Sequence, residues 1–191
     1  MKKYAEDIYV RRCQLTSKTS AYINDFDCGD LNLNEYAAAD RHDASTVGYL
    51  FLDDERDSLI SYVSVACAGV MIRGDIPRET FADNENTILS AMEIKIFATA
   101  KRYQHMRMHE LSPKNDTLSS RIFRQMLYLL MNISTRHIGS RGAVLYSVPD
   151  AESFYARHGF ARFSNEMTRN AEAFLSNCVP MIKLWPWAKR E

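Results

Sequence analysis

Along the 191-residue chain, apolar positions follow sometimes the two-residue period of a strand and sometimes the three-and-four period of a helix. Residues 7–15 carry Ile8, Tyr9 and Val10 and read as a first strand. Residues 25–30 are turn-like around Gly29, and Asp30 is placed to cap a helix over 31–41. Residues 46–52 and 59–72 are β-prone runs on either side of the acidic turn DDERD, a pattern that predicts an antiparallel hairpin. Residues 73–86 are polar, contain Gly74 and Pro77, and read as a surface loop. AMEIKIFATA, 91–100, reads as a buried strand and 102–116 as irregular chain. Leu118, Ile122, Met126, Leu129, Leu130 and Ile133 then recur at helical spacing, predicting a long helix from 118 to about 137. Asp116 or Thr117 caps its start, and Gly139 is suited to end it. AVLYSV, 143–148, is a short buried strand, and 150–158 a short helix ended by Gly159. Residues 160–163 and 179–184 are two last strands, separated by a helix-like stretch near 171–176.

The strand–helix–strand run from Ala91 to Val148 implies a parallel pair joined by a right-handed crossover. The flanking hairpins imply antiparallel edges. The expected fold is a single α/β domain over 1–191, a mixed and largely antiparallel sheet with a parallel central pair and helices on both faces.

Composition narrows the function classes. Apolar residues at 46% and charged residues at 25% are globular values. The 24 basic and 24 acidic side chains cancel, which argues against strong nonspecific nucleic-acid binding and leaves room only for a local basic surface. Cys13, Cys28, Cys67 and Cys178 include no CxxC pair, so free and mostly buried thiols in a reducing compartment are expected. MKKYAEDIYV has no apolar secretory core, and no run approaches the length of a membrane span. The expectation is a soluble, cytoplasmic protein without a membrane partner. His105 and His109 are four apart but lack a third ligand, so no metal site is expected. Trp185 and Trp187 follow the last strand and suit a core edge, with a homodimer contact as the alternative.

Two segments are more specific: FATAKRYQ (97–104) at the end of the central strand, and AESFYARHGF (151–160) one long helix and one strand later. In this order the chain resembles the GNAT superfamily of acyl-CoA-dependent N-acetyltransferases, over nearly its whole length. FDCGDLNLNEY (26–36) is similar to the opening of a subgroup that includes toxins of toxin–antitoxin pairs. The resemblance implies a splay between the central parallel strands that takes the pantetheine arm of acetyl-CoA as co-substrate. It implies backbone contacts from Phe97, Ala98 and Thr99, and places Phe154 beside the cofactor. It gives Tyr155 the role of general acid to the departing thiolate, which suits a phenol of reference pKa about 10. Glu93 stands where some members hold a general base; pairing with a neighbouring strand or an arginine is the structural alternative.

The family's phosphate loop, Q/R-x-x-G-x-G/A, is altered here. Gln104 matches its first position, but Arg107 and His109 replace the small residues, and no glycine occurs between Gly74 and Gly139. The glycines normally let successive amides approach the pyrophosphate at a helix N-terminus. Two readings follow. Either Gln104, Arg107, Lys101, Arg102, Lys114 and the amides near Ser119 bind the phosphates in another way, or the side chains fill the site.

The leading expectation is transfer of acetyl from acetyl-CoA to an amine, on a small molecule or a protein. The alternatives are a GNAT-like binding module without catalysis, and a toxin that acetylates the amino acid on charged tRNA.

Overall fold

The computed structural model describes residues 4–40, 42–73, 86–109, 113, 116–163, 167–168 and 177–186. After a 3-10 turn at Ala5–Asp7, the elements are β1 (Val10–Gln14), α1 (Ala21–Asn24), α2 (Leu31–Asp40), β2 (Thr46–Asp53), β3 (Ser58–Arg73), β4 (Asn86–Thr99), α3 (Leu118–Ile133), β5 (Gly142–Ser147), α4 (Glu152–Arg157), β6 (Ala161–Arg162), β7 (Met167–Thr168) and β8 (Val179–Leu184). The strands form one sheet in the order β1-β2-β3-β4-β5-β8-β6, with β7 paired to β3 off this path. It is a mixed α/β fold with β4 and β5 parallel and the β1–β2, β2–β3, β3–β7, β5–β8 and β6–β8 pairs antiparallel. The chain divides into two compact units, Met1–Ala66 with Lys95–Tyr128, and Cys67–Ile94 with Leu129–Glu191.

In the first unit the β2–β3 hairpin forms as its sequence predicts, with a register shift between Phe51 and Leu52. Successive strand residues point to opposite faces. Leu50, Phe51 and Leu52 all have 0% exposure, so the sheet is covered on both sides here. From α3, Leu118, Ile122, Phe123 and Met126 are fully buried. Asp30 caps α2 by accepting from the Leu33 amide at 3.2 Å. Thr117 rather than Asp116 caps α3, accepting from the Ser120 amide at 3.3 Å.

Two buried carboxylates tie this unit together. Asp40, at the end of α2, accepts from the Tyr62 hydroxyl and from Thr46 Oγ1. Asp53, with 0% side-chain exposure, accepts from Arg56 at 2.7 Å and from the Tyr103 hydroxyl at 2.9 Å. The Glu55 and Arg56 amides point at its other oxygen. The Tyr103 bond fastens the 3-10 turn Lys101–Tyr103 to the hairpin.

In the second unit the parallel ladder pairs Ala91 with Gly142 and Ile94 with Leu145. Val70, Leu89, Ala91, Val144 and Ile182 form its apolar cluster. Gly142 has no room for a side chain, since a Cβ would lie 2.4 Å from the Lys183 carbonyl oxygen. Trp185 is buried and its amide donates to the Arg141 carbonyl, the core-edge role expected of it. Trp187 lies outside the described residues, as do most of the expected loop at 73–86 and the expected helix near 171–176.

Several expectations change. The long helix is α-helical only to Ile133 and ends in a π turn, Ser134–Ile138, before Gly139 at φ 68°. The strands β3 and β4 are longer than the apolar runs that announced them. Of the four free cysteines only Cys28 is buried, and Cys67 is exposed. No described helix is long and apolar enough to cross a membrane.

Burial pushes the Asp53 carboxyl up, but hydrogen bonds from Arg56 and Tyr103 outweigh it and hold its pKa below the usual 3.8. A depressed folded-state pKa stabilises above the unfolded value and is lost as pH falls through the folded one. Asp53→Asn should therefore cost about 1–3 kcal/mol at pH 7 in urea unfolding. The same variant should flatten the loss of stability below about pH 4 seen in the parent.

Candidate active site

The end of β4 and the turn after it belong to the first unit. Phe97 is half-buried against Phe123, with ring centroids 4.9 Å apart. Ala98 and Thr99 are buried, and Thr99 Oγ1 lies 3.0 Å from Ser61 Oγ. The Ala100 amide donates to the Ile60 carbonyl, which keeps the strand end in the sheet. The Gln104 side-chain amide donates to the Thr99 carbonyl at 2.8 Å and to the Cys28 carbonyl at 2.7 Å. Lys101 meets Asp27 twice, through its amide at 2.9 Å and its ammonium at 3.0 Å.

The two segments FDCGD and KRYQ are thus one local structure. Asn34 supports it, accepting from the Cys28 amide and donating to Asp27. The Asp27 carboxylate also accepts from the Gly29 amide, and Gly29 has φ 93°. A side chain at Gly29 would be strained, and its Cβ would lie 2.9 Å from Lys101 Cε. The Lys101 ammonium, then the Gly29 amide and Asn34, hold the Asp27 carboxyl below its ordinary pKa.

The turn after Gln104, where the resemblance expects a phosphate loop, adopts a left-handed residue without a glycine. His105 has φ 59°, a conformation that costs an L-residue with a side chain about 1–2 kcal/mol. The strain falls one residue after Gln104, not at Arg107 or His109 where the family's glycines stand. His105 and His109 lie in this loop, and the His109 ring faces Tyr4 at 5.8 Å. The Met106 amide donates to Tyr103, the Met108 amide to Asp116, and the Leu118 amide to Met106. Arg107 and Thr117 form an antiparallel bridge, and the Arg107 carbonyl accepts from the Ala5 amide. Ser119 stands half-buried in the first turn of α3. Lys114 lies outside the described residues.

Glu93 and Tyr155 belong to the second unit, on β4 and α4. Glu93 pairs with Val144 in the ladder and shares a strand face with Leu89 and Ala91, two members of the apolar cluster. It is a half-buried carboxylate at the end of an apolar face. The Tyr155 ring is flanked by Phe154 at 5.2 Å and Phe160 at 6.2 Å, and Phe154 also meets His158 at 4.8 Å. Removal from water pushes the Tyr155 phenol up to about 12. Gly159, at φ 84°, turns the chain from α4 into β6, and the Lys183 ammonium donates to the His158 carbonyl at 2.8 Å. A Cβ on Gly159 would meet that ammonium at 2.4 Å.

No family model and no curated protein matches the sequence. The solved structures do match. A bacterial toxin is 18% identical over 93% of this chain and 91% of its own, with a TM-score of 0.68. A tyrosine-to-phenylalanine mutant of KacT is 15% identical over 92% of this chain and 94% of its own, at 0.64. AtaT complexed with acetyl-methionyl-tRNAfMet is 14% identical over 93% and 95%, at 0.63. The chain has the GNAT fold. Its structural neighbours lie near the toxin subgroup that FDCGDLNLNEY resembles.

Within a GNAT fold, acetyl-CoA would meet two different ends here. At the strand, Ala98 is buried and Phe97 half-buried. At the loop, the amides of Met106, Met108 and Leu118 already have protein acceptors, so the backbone cradle expected for the pyrophosphate does not fit in its usual form.

Sequence reasoning did not find that Gln104 bridges two carbonyls, nor that Lys101 joins Asp27. The expected site residues are otherwise distributed with Phe97, Ala98, Thr99, Gln104, Arg107 and Ser119 in the first unit and Glu93, Phe154 and Tyr155 in the second. Two substitutions should shift stability in opposite directions. Gln104→Ala should lower it by about 1–2 kcal/mol by stripping two carbonyls of their donor. His105→Gly should raise it by about 1 kcal/mol by relieving a positive φ. Thermal unfolding of both checks the wiring of this loop.

Proposed function

We propose that the chain transfers an acetyl group from acetyl-CoA to an amino group by direct attack. The observation that carries this reading is Tyr155 of the AESFYARHGF segment, a half-buried phenol on α4 between the rings of Phe154 and Phe160. The amine nitrogen attacks the thioester carbonyl, the new C–N bond forms and the C–S bond breaks. The sulfur leaves as a thiolate and takes the phenol proton, while the amine proton passes to Glu93 or to a water beside it. Among the structural neighbours, AtaTR is bound with acetyl-CoA, and both KacT and AtaT occur as tyrosine-to-phenylalanine mutants.

The acceptor class that best fits is the α-amino group of an aminoacyl-tRNA. The neighbour AtaT is complexed with an acetylated methionyl-tRNA, and the toxin-like FDCGD segment is built into the β4 end of this chain through Gln104 and Lys101. An α-amine of pKa about 7.7–8.0 is roughly a tenth free base at pH 7, against less than a thousandth for a lysine near 10.4. Such an acceptor needs little from a base, which suits a half-buried Glu93.

The spent amides of Met106 and Met108 favour one other reading, a GNAT-fold binding module that has lost catalysis. Under it acetyl-CoA would not raise the melting temperature.

Acetylation of charged tRNA by the purified chain tests the proposal. Tyr155→Phe should lower kcat by about 10²–10⁴-fold, the usual worth of a positioned proton donor. Glu93→Gln should cost much less. The rate should rise through the amine pKa and stay level to pH 10, since Tyr155 remains protonated there. Full activity of Tyr155→Phe would remove the phenol from the mechanism, and absence of acetyl-CoA binding would remove the reaction.

A further inference from the structure

On the first unit, β1 and α3 border an open groove of about 600 Å³ lined by Arg12, Arg124, Gln125 and Tyr128. None of the residues assigned to acetyl transfer lines it. Arg124, Gln125 and Tyr128 project at three- and four-residue spacing from one exposed stripe of α3, and Arg12 comes from β1 at the end of the sheet path. Tyr128 is 65% exposed, unusual for an aromatic on a helix whose other face carries the core.

The neighbouring arginines divide into two kinds. Arg11 is held by Asp54 at 2.6 Å and approaches Asp57, and Arg121 donates to the Ala5 carbonyl. These serve the fold. Among the described residues Arg12 pairs with no carboxylate. Among the described residues Arg124 meets Asp116 at 3.3 Å, an exposed guanidinium on a half-exposed carboxylate, a pairing worth little and readily exchanged for an anion. The lining thus offers two guanidinium groups, an amide able to donate and accept, and an aromatic face, with no carboxylate among them. On a chain with zero formal charge, this is a local departure from the average.

We propose that this groove binds a single-stranded RNA segment, with a base stacked on Tyr128, phosphates on Arg12 and Arg124, and Gln125 at a base edge or sugar. The chemistry fits that class. An exposed aromatic accepts any unpaired base, guanidinium planes take phosphate in pairs of hydrogen bonds, and a shallow groove follows a flexible backbone. A duplex hides its base faces and could use only the arginines. The inference rests on the charged-tRNA acceptor of the proposed reaction. It places part of the recognition of that substrate on β1 and α3.

The experiment measures binding of deacylated tRNA and of a short single-stranded RNA to the full chain, across a salt series and without acetyl-CoA. Arg12→Gln/Arg124→Gln should weaken both at least tenfold at 0.1 M salt and reduce the slope of log K against log salt by about 1.4, the value for two lost phosphate contacts on a single strand. Tyr128→Ala should weaken binding by about five- to a hundredfold, as the loss of one stacked base does, with the slope unchanged, and Tyr128→Phe should restore it. Unchanged melting temperatures would show that the variants keep the fold. Unaltered affinity and slope in the double variant would overturn the proposal. So would duplex DNA of equal length binding as tightly as the RNA, with Tyr128→Ala without effect. If the wild type binds RNA through these residues but transfers no acetyl group, the reaction falls and the groove stands. If it acetylates charged tRNA and the variants bind as the wild type does, the groove falls and the reaction stands.

Discussion

The carboxamide of Gln104 donates one proton to the Thr99 carbonyl and the other to the Cys28 carbonyl. Because both partners are acceptors, only the NH2 end of the side chain can face them, and its orientation is determined. Much of the first unit follows from this. The bond to Thr99 ends β4 and folds the chain back through Lys101–Tyr103, where Tyr103 reaches the buried Asp53. The bond to Cys28 brings in the 27–34 segment, whose Asp27 then meets Lys101. The end of the central strand, the 27–34 segment and the start of the turn after Gln104 are held by one side chain.

That anchoring fixes the start of the turn at residues 104–109, which contain no glycine. A glycine-rich phosphate loop leaves its amides open and lets an anion order them. In this chain the amides of Met106, Met108 and Leu118 bond to Tyr103, Asp116 and Met106, and the Arg107–Thr117 bridge closes the turn. The cost is concentrated at His105, the residue next to the anchor. Residues 106–108 are held by protein contacts. Any diphosphate bound at this turn would be met chiefly by side-chain charge rather than by these amides.

The fold was legible in the sequence wherever one face of an element is buried. Leu118, Ile122 and Met126 declared α3 because a helix with one dry side must repeat at three and four. AMEIKIFATA and AVLYSV declared the parallel pair because strands covered on both faces read as continuous apolar runs. The two-residue β7 and the π turn after Ile133 left no such trace, being too short for a period. Gly159 was legible as the turn that ends α4, and it has φ 84°. The role of Gln104 was half legible. Its position matched a family pattern, but its partner Cys28 lies 76 residues away, and no local rule connects them. The glycines expected from the resemblance fall at Arg107 and His109, while the positive φ lies at His105. A turn takes its positive φ where the neighbouring hydrogen bonds force it.

If the chain binds acetyl-CoA as proposed, the amides of Met106, Met108 and Leu118, already bonded within the protein, leave the diphosphate mainly to side-chain charge. Titrating the wild-type chain with acetyl-CoA and with acetyl-pantetheine, which lacks the nucleotide and diphosphate, tests this directly. Exposed charge contacts contribute about 1 kcal/mol or less each, so the two dissociation constants should agree within about tenfold. A preference for acetyl-CoA of about a thousandfold or more would mean that the loop amides open to cradle the diphosphate, and would contradict the account.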